Sequence, residues 1–473
     1  MKKVFVGIDI GTTSLKAAAF DDNGKRLSLK NIDYTLDTDS QTGYVEFDAE
    51  KYVEMSKEAI SSIIADVGKI TALSIDTQGE TLILTNDIGS PLCKAVVWLD
   101  NRAVDEAEEI KRDFGNKKVY EVTGQPEITA GWPASKLLWF KKNRPEIWSK
   151  TKKIFMLEDY ILYRLSGEFV TEPTIQSSTI YYDVVKGEWW KEMLDYLGVT
   201  PDMLPTVKKS AEKIGLYNGI SVVTGGLDQI AGAIGVGAVD SSCVSEMTGT
   251  IMAICAVCDK MPPYRENCII PCHLHAIDGK YCQLLWSPTA GMALKWFKNE
   301  FSEGFSFKEL DDLAREVSAG CDGMTMLPYF CGSTMPEYNP DARASFTGIT
   351  LSHTRGHFVR AILEAVAFTL KQNLNYIGAD SDCEIHITGG GASSKLWAQI
   401  KADVTERKLY TLKENESACL GTAIMAAVGV GCFESIAEAS RKLVSLDKEY
   451  LPENVDYTEA YDRFIDINKK LYK

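Results

Sequence analysis

The first 24 residues constrain the fold most, because they place one acid and a small polar turn between two apolar runs. Residues 4–8 form a β-branched run that predicts a buried strand. Asp9 follows, where a hydrophobic strand has no structural use for a carboxylate. Residues 16–20 predict a second strand, and an Asn-Gly pair at 23–24 favours a hairpin turn into a third. The chain therefore opens on a β-hairpin whose tip, residues 11–14, is small and polar.

The tip of this hairpin has the groups that a phosphate with a bound Mg²⁺ requires. It offers backbone N–H groups, the hydroxyls of Thr12 and Thr13, the ammonium of Lys16 and the carboxylate of Asp9. The same residues also suit an ordinary hairpin with a polar tip, since short motifs often occur by chance. On this segment alone both interpretations stay open.

Length and charge exclude several classes of protein. A chain of 473 residues exceeds what one hydrophobic core usually organises, so we expect two domains. The net charge of −15 disfavours nucleic acid and anionic membranes as partners, since both are anionic and are bound by basic patches. No apolar run reaches the ~18 residues of a membrane span, and the first residues do not resemble a signal peptide. We therefore expect a cytoplasmic protein that binds neither nucleic acid nor membrane; a homodimer is left open.

The cysteines admit two interpretations. There are twelve, and in a chain without an export signal they predict reduced thiols. Seven residues of metal-ligating types cluster in the second half: Cys255, Cys258, Cys268, Cys272, His273, His275 and Cys282. A zinc site is conceivable, but residues 251–257 predict a buried strand and the remaining spacing is irregular. The sequence favours buried, reduced thiols.

Strands and helices alternate along the chain and divide it into two similar units. Predicted strands cover 72–76, 81–84, 95–99 and 385–388, and predicted helices cover 50–67, 136–142, 159–165, 358–374 and 419–430. Residues 243–254 again read as strand, small polar turn and strand, which echoes the opening hairpin. We therefore expect domains at 1–238 and 239–473, joined by a short hinge near residues 235–240, each presenting a phosphate-type loop to a shared cleft.

Asp228 is the first candidate for a catalytic acid or base. It lies between a predicted strand at 222–223 and a helix of small residues that begins at Gln229. An acid at such a junction can approach a ligand closely and accept a proton from an attacking hydroxyl. The alternative is a structural helix N-cap.

A second group of polar residues suits a sugar or polyol. Two segments after predicted strands supply its members: Gln78, Glu80, Trp98, Asp100 and Arg102. Amides, carboxylates and a guanidinium bind hydroxyls, and an aromatic face binds C–H groups. The alternative is ordinary surface polarity with a core tryptophan. The usual nucleotide motifs are absent from the sequence: there is no P-loop, no protein-kinase motif set and no dinucleotide-binding glycine motif.

Taken together, these motifs resemble the FGGY carbohydrate kinases of the sugar kinase and actin superfamily. The matching segments follow the family's order: Asp9-Ile-Gly-Thr-Thr-Ser, Gly131-Trp-Pro-Ala-Ser-Lys-Leu-Leu-Trp-Phe-Lys-Lys-Asn, Met247-Thr-Gly-Thr, Ala344-Ser-Phe-Thr-Gly-Ile with His357-Phe-Val-Arg-Ala-Ile-Leu-Glu, and Thr388-Gly-Gly-Gly-Ala. The resemblance implies an α/β fold of two ribonuclease-H-like domains, each a mixed five-stranded sheet flanked by helices, with sugar in the first domain and ATP against the second.

The resemblance also implies residue roles. Asp228 would be the catalytic base, and Asp9 would hold Mg²⁺ together with Asp228. Gln229 would join the sugar-binding group defined above. The ATP-binding positions would be Thr12, Thr13, Lys16, Thr248, Gly249, Thr250, Gly291, Lys295, Gly390, Gly391 and Lys395. Lys395 departs from the smaller polar residue often found there, which puts its side-chain contact in doubt.

The acceptor is less constrained than the reaction. Gln78-Gly79-Glu80 lacks the Met-His of xylulose kinases and the arginine of glycerol kinases, although Glu80 and Asp228-Gln229 match the latter. Gly79 removes a bidentate donor and opens space, which predicts an acceptor longer than glycerol. A ketopentose such as xylulose is the first expectation, and another polyol, a sugar acid or glycerol is the alternative. A non-sugar ATPase or an inactive regulatory protein on the same superfold is the remote alternative.

Overall fold

The computed structural model describes residues 3–266 and 268–472. Within these residues, each half of the chain forms one large mixed sheet flanked by helices. Smaller sheets attach to the outside of these two layers. The two large sheets therefore define the frame on which the predicted site residues are carried.

Strands and helices alternate through most of the chain. The strands are β1 (Val4–Ile10), β2 (Ser14–Asp21), β3 (Arg26–Asp33), β4 (Asp37–Asp39), β5 (Tyr44–Phe47), β6 (Ala72–Thr77), β7 (Leu82–Thr85), β8 (Ala95–Val96), β9 (Lys153–Met156), β10 (Val170–Thr171), β11 (Tyr182–Asp183), β12 (Glu188–Trp189), β13 (Thr206–Val207), β14 (Lys213–Tyr217), β15 (Ile220–Leu227), β16 (Cys243–Thr248), β17 (Met252–Cys258), β18 (Cys272–Leu274), β19 (Tyr281–Ser287), β20 (Thr325–Leu327), β21 (Ser345–Thr347), β22 (Glu384–Thr388), β23 (Leu409–Leu412) and β24 (Leu446–Tyr450). The α-helices are α1 (Ala49–Val67), α2 (Val104–Phe114), α3 (Asn116–Thr123), α4 (Pro133–Asn143), α5 (Pro145–Trp148), α6 (Leu157–Ser166), α7 (Pro173–Gln176), α8 (Lys191–Leu197), α9 (Asp228–Val236), α10 (Gly291–Phe301), α11 (Phe307–Arg315), α12 (Arg355–Ile377), α13 (Lys395–Thr405), α14 (Ser417–Gly429), α15 (Ile436–Leu443) and α16 (Thr458–Tyr472). Short 3₁₀ turns lie at Pro201–Met203, Cys321–Gly323 and Gly390–Ser393.

The first sheet has the order β14-β15-β6-β1-β2-β3. Strand β1 is apolar on both faces and pairs antiparallel with β2 and parallel with β6, while β6 pairs parallel with β15. In this register Asp9 lies directly opposite Asp76, and β15 runs into Asp228 at the start of α9. Because the carboxyl ends of these three parallel strands meet at one edge, the sheet brings the three aspartates together there.

The second sheet repeats this arrangement. Its order is β18-β19-β17-β16-β22-β23-β24, and β16 pairs antiparallel with β17 and parallel with β22. The repeated hairpin predicted from residues 243–254 is therefore present, and the predicted fold class is confirmed. The expected count of five strands in each sheet is too low, because β14 extends the first sheet and β18 and β24 extend the second.

Helix α14, from the second half of the chain, packs on the sheet of the first half. It lies against β1 and β6 and crosses α9 closely, because glycines replace side chains at the crossing. A Cβ on Gly421 would lie 1.9 Å from the carbonyl oxygen of Ala231, and one on Gly235 would lie 1.8 Å from that of Ser417. The packing of the first sheet is therefore completed by residues beyond position 238.

One expected strand is shorter in the structure than the sequence predicts. Residues 95–99 are a strand only at Ala95–Val96, and the chain then turns, which brings Trp98 and Leu99 to the surface. Over the described ranges 3–266 and 268–472, no helix is long and apolar enough to cross a membrane.

Candidate functional site

Three aspartates at the edge of the first sheet form the chemical centre of the site. Asp9 and Asp76 lie directly opposite each other on the neighbouring parallel strands β1 and β6. Asp76 is fully buried and also accepts a hydrogen bond from Thr422 of α14. Asp228 is half-buried, and its Oδ1 accepts the N–H of Gln229 at 2.7 Å. The second half of the chain thus contributes Thr422 to a site built on the first sheet.

Burial disfavours the ionisation of all three carboxyls, and neighbouring acids add to this effect at Asp76 and Asp228. Burial raises the pKa of Asp9 and raises that of Asp76 well above its usual range, and in Asp76 the facing Asp9 carboxyl adds to the rise. Burial raises the pKa of Asp228 to about 8, with Asp9 the next cause. Strongly raised carboxyl pKa values in a cleft are typical of groups that exchange protons or hold a cation.

Glu80 lies near these aspartates in a conformation that few side chains adopt. Its φ is 54°, in the left-handed region, which costs free energy and is found most often at functional sites. The buried ammonium of Lys136, from α4, donates to the carbonyl oxygens of Glu80 and Val97, both at 2.9 Å. Burial raises the pKa of the Glu80 carboxyl and lowers that of Lys136. Lys136 therefore ties the Gln78–Glu80 segment to the turn that carries Trp98.

Gln78 and Gly79 are enclosed by neighbouring side chains. Gln78 donates Nε2 to the Tyr52 hydroxyl at 3.3 Å, and its Oε1 is buried without a partner among the described residues. A Cβ on Gly79 would lie 3.1 Å from both Leu227 Cδ1 and Ser178 Oγ. The missing arginine does remove a donor, but the space that we expected beside Gly79 is filled by Ser178 and Leu227.

Trp98 connects the predicted sugar site to the β1–β2 turn, which is predicted to bind phosphate. Its side chain is 40% exposed, and its Nε1 donates to Thr12 Oγ1 at 3.1 Å. Gln229 follows Asp228 at the start of α9 and is half-buried. The exposed indole face is therefore available to a ligand beside the hairpin tip.

Asp100 and Arg102 are engaged with each other and not with the cleft, contrary to the sugar-binding role expected for them. Asp100 is fully buried and accepts from Val45 N at 2.6 Å and from Arg102 Nε at 2.8 Å. The guanidinium of Arg102, 2% exposed, also pairs with Glu46 at 2.7 Å and lies 4.1 Å from the centre of the Tyr44 ring. These two side chains stabilise the turn that carries Trp98.

A pocket of about 1090 Å³ opens in the second half of the chain. Its lining includes eight of the predicted ATP-binding positions: Thr248, Gly249, Thr250, Gly291, Lys295, Gly390, Gly391 and Lys395. Trp296 and Phe307 add aromatic surface to the same wall. The β16–β17 turn and the glycine segment after β22 meet closely here, since a Cβ on Gly391 would lie 2.6 Å from Thr248 Cγ2. The dimensions and mixed lining suit a nucleotide-sized ligand.

A buried ion pair lies directly beneath this pocket. Lys401 Nζ contacts Glu246 Oε2 and Thr248 Oγ1, both at 2.7 Å, and the Thr248 hydroxyl also hydrogen-bonds Glu246. Both charged side chains are at most 1% exposed. The hydroxyl of Thr248 is therefore held inside the fold, so that this residue offers the pocket its backbone and methyl group.

The remaining predicted residues of the first turn have different surroundings. Thr12 is half-buried and Thr13 is exposed. Lys16 forms an ion pair with Glu416 at 2.7 Å, from the segment just before α14. The Gly11 N–H is bound to the Ser14 carbonyl at 3.0 Å, which closes the turn.

The cysteine cluster occupies neighbouring strands of the second sheet. Cys255 and Cys258 are on β17, Cys272 is on β18 and Cys282 is on β19. All twelve cysteines are free thiols in the structure. Across residues 3–266 and 268–472, no group of three or more His, Cys, Asp or Glu side chains is arranged to hold a metal ion unaided.

Sequence reasoning missed several residues of the site. Asp76, Lys136, Ser178, Glu246, Lys401 and Thr422 all contact its functional parts. Asp76 had a visible signal, because it ends a second apolar strand just as Asp9 does. The others act through contacts between segments far apart in the chain.

The fold, with a strand–turn–strand loop at the same place in each large sheet, defines a class, that of two-domain sugar kinases. Known proteins agree with this assignment. The model for the N-terminal domain of the FGGY family of carbohydrate kinases matches residues 4–235, and that for the C-terminal domain matches residues 287–430. The chain belongs to the FGGY family of carbohydrate kinases, and it is accordingly an ATP-dependent sugar kinase.

Similar proteins within this family differ in the acceptor that their names state. The chain is 28% identical to a xylulose kinase of Lactococcus lactis over 99% of this chain and 96% of that enzyme. It is 31% identical to a gluconokinase of Bacillus subtilis over 93% and 90% of the two chains. The crystal structure of a gluconate kinase from Lactobacillus acidophilus superposes with a TM-score of 0.91 at 26% identity, covering 100% of this chain and 98% of the other.

Proposed function

We propose that this kinase transfers the γ-phosphate of ATP to a hydroxyl of a neutral ketose or polyol, with a ketopentose such as xylulose as the first choice. The observation that carries the proposal is the position of Asp9 and Asp228 at the carboxyl ends of strands on either side of β6, with Trp98 bound to Thr12 of the adjoining turn. Asp228 accepts the proton of the attacking hydroxyl, and Glu80, Gln78 and Trp98 orient the acceptor.

The charge of the cleft favours a neutral acceptor over a sugar acid. Asp9 and Asp228 raise the pKa of Asp76, Asp9 and Glu80 raise that of Asp228, and an acceptor carboxylate would add a further negative charge to these acids. The buried cation of this region, Lys136, has its ammonium directed at two backbone carbonyls. A sugar acid is retained as the second candidate, because both a gluconokinase and a gluconate kinase structure are similar to the chain over nearly its whole length.

We propose that Mg²⁺ is held by Asp9, with Asp228 beside it. The site lacks a complete set of protein ligands, and this suits Mg²⁺, which is usually bound by one or two carboxylates together with phosphates and water. The uncompensated carboxyls at this edge also favour a divalent cation, which neutralises charge on the transferring phosphoryl group when bound.

The two halves then have separate tasks. Residues 1–238 carry the acceptor and the first phosphate turn, and residues 239–473 carry the nucleotide. The eight pocket-lining positions, together with Thr12, Thr13 and Lys16, are proposed to contact ATP. We also propose a cytoplasmic location, which the twelve free thiols support, since such thiols persist in a reducing compartment.

The test is an acceptor panel scored by ADP formation with Mg·ATP. The panel includes ketopentoses, pentitols, gluconate and glycerol, with an acceptor-free control. We expect turnover to depend on a neutral acceptor of four to six carbons. Turnover best supported by gluconate would overturn the charge argument, glycerol as the best acceptor would overturn the choice of a ketopentose, and equal hydrolysis without any acceptor would contradict the kinase assignment.

A further inference from the structure

Strand β15 leaves its regular pairing just before Asp228. Val223 pairs with Ser74 of β6, but the next pair in register is Gly226 with Asp76, so that β15 contains one extra residue. Such a bulge removes ladder partners and re-aims the residues that follow it. The backbone N–H groups near the bulge are buried and need other acceptors.

Two buried side chains supply these acceptors. The Gly225 N–H donates to Glu158 Oε1 of α6 at 2.9 Å, and the Leu227 N–H donates to Thr174 Oγ1 of α7 at 2.8 Å. Thr174 and Glu158 are both fully buried. The Gly226–Leu227 peptide, one residue before Asp228, is therefore held by a side chain from a separate helix.

The hydroxyl of Thr174 is itself fixed in orientation. It donates to Glu172 Oε1 at 2.7 Å, which leaves its lone pairs for the Leu227 N–H. Glu172 in turn accepts from the N–H of Thr174 at 2.9 Å, from the N–H of Ile175 at 2.5 Å and from Ser210 Oγ at 2.5 Å. The carboxylate is thus anchored by four donors, and the Thr174 hydroxyl has a single favourable direction.

The contact leaves little freedom at the bulge. A Cβ on Gly226 would lie 2.8 Å from Thr174 Oγ1, so the backbone lies directly against the hydroxyl. Leu227 is 3% exposed and immediately precedes Asp228 at the start of α9. A displacement of this peptide would move the Asp228 carboxyl relative to an acceptor hydroxyl.

We propose that Thr174, oriented by Glu172, is a positioning residue that sets the place of the Asp228 carboxyl through the Leu227 peptide. The proposal rests on the function proposed above, in which Asp228 is the base. A base displaced by about 1 Å can lose on the order of 100-fold in rate without loss of ligand binding. Glu158 holds the bulge in the same way, because its carboxyl accepts the N–H of Gly225, which lies closer to the start of the bulge.

The test compares Thr174→Val with Thr174→Ser in the full-length enzyme. Valine has nearly the same shape but no acceptor, whereas serine keeps the hydroxyl. We expect kcat of Thr174→Val to fall about 10- to 100-fold with the KM for ATP within about twofold of wild type. Thr174→Ser is expected to recover kcat to within about threefold. Thermal unfolding of each variant separates a local displacement from a general loss of folded protein.

A second pair of variants keeps the test decisive where Thr174→Val does not fold. Glu158→Gln retains an acceptor for the Gly225 N–H, whereas Glu158→Met removes it. The kcat of the methionine variant should therefore be at least tenfold lower than that of the glutamine variant. The proposal is overturned if Thr174→Val keeps wild-type kcat, if serine does not rescue a folded enzyme, or if the two Glu158 variants behave alike. Absence of acceptor-dependent turnover in the wild type would instead reject the proposed function, so the two failures are distinguishable.

Discussion

The β1–β2 and β16–β17 turns occupy equivalent places in the two sheets, but their charged residues are arranged in opposite ways. At the β1–β2 turn, Asp9 faces Asp76, and Lys16 is already paired with Glu416. Beneath the β16–β17 turn, Glu246 and Lys401 form a buried pair at 2.7 Å. The first turn therefore keeps acids that lack a full set of countercharges, whereas the second is neutral within the fold.

This difference in charge suggests a different role for each turn. Carboxyls with strongly raised pKa values weaken folding near neutral pH, so a protein retains them where a proton or a cation must be handled. A compensated ion pair offers no charge to the ligand, but it fixes the turn that the ligand touches. We infer that the first turn takes part in the reaction and that the second holds the nucleotide in place.

Replacement of Asp228 gives the largest expected effect and tests the first half of the comparison. In Asp228→Asn or Asp228→Ala the acceptor hydroxyl has no base, so we expect kcat to fall by about 10² to 10⁴. Nucleotide affinity, measured by calorimetry, should change by less than about threefold. Asp240→Asn is the control, since Asp240 lies beyond α9 and pairs with Arg441. Near-normal turnover in the Asp228 variants would refute the assignment of the base.

Asp9→Asn should give the next largest effect, through the metal. Loss of the carboxylate proposed to hold Mg²⁺ should lower kcat about 100-fold and raise the Mg²⁺ concentration that gives half-maximal rate. A Mg²⁺ titration of the initial rate at saturating ATP measures both. Asp33→Asn, on exposed β3 of the same sheet, is the matched control. An unchanged Mg²⁺ requirement in Asp9→Asn would move the metal to another residue.

Lys401→Met tests the supporting role of the second turn. Removal of one partner leaves Glu246 buried and unpaired, so we expect lower thermal stability and a KM for ATP raised about tenfold, with the KM for the acceptor unchanged. In the double variant Glu246→Gln/Lys401→Met no buried charge remains, so stability should recover. The KM for ATP should stay raised, because Thr248 still lacks its contact with Lys401. Full recovery of both quantities would show that the pair serves stability alone.

The sequence predicted local features of both turns well and their surroundings poorly. The strand–turn–strand pattern predicted the β1–β2 hairpin with Asp9 near its tip and the second hairpin at β16–β17, because hydrophobic runs and small polar turns are local signals. Asp100 and Arg102 looked like free polar groups, yet they pair with each other inside the fold. Lys401 is 155 residues from Glu246, and no local pattern indicates that contact. Residues that support the site could not be predicted from the sequence, because they act through contacts between segments far apart in the chain.

The pH dependence of stability is the smallest effect and the most direct test of uncompensated charge. The pKa of Asp228 is about 8 in the folded protein against an ordinary value of 3.8, so the folded state binds more protons between these limits. The stabilisation from protonated Asp228 is therefore complete below about pH 4 and is lost as the pH rises through about 8. Asp228→Asn removes this titration, so its Tm should fall less steeply than that of the wild type between about pH 5 and pH 8, by a few degrees. Parallel curves in scanning calorimetry, without ligand, would show that Asp228 is already ionised in the folded protein and that its charge is compensated as fully as that of Glu246.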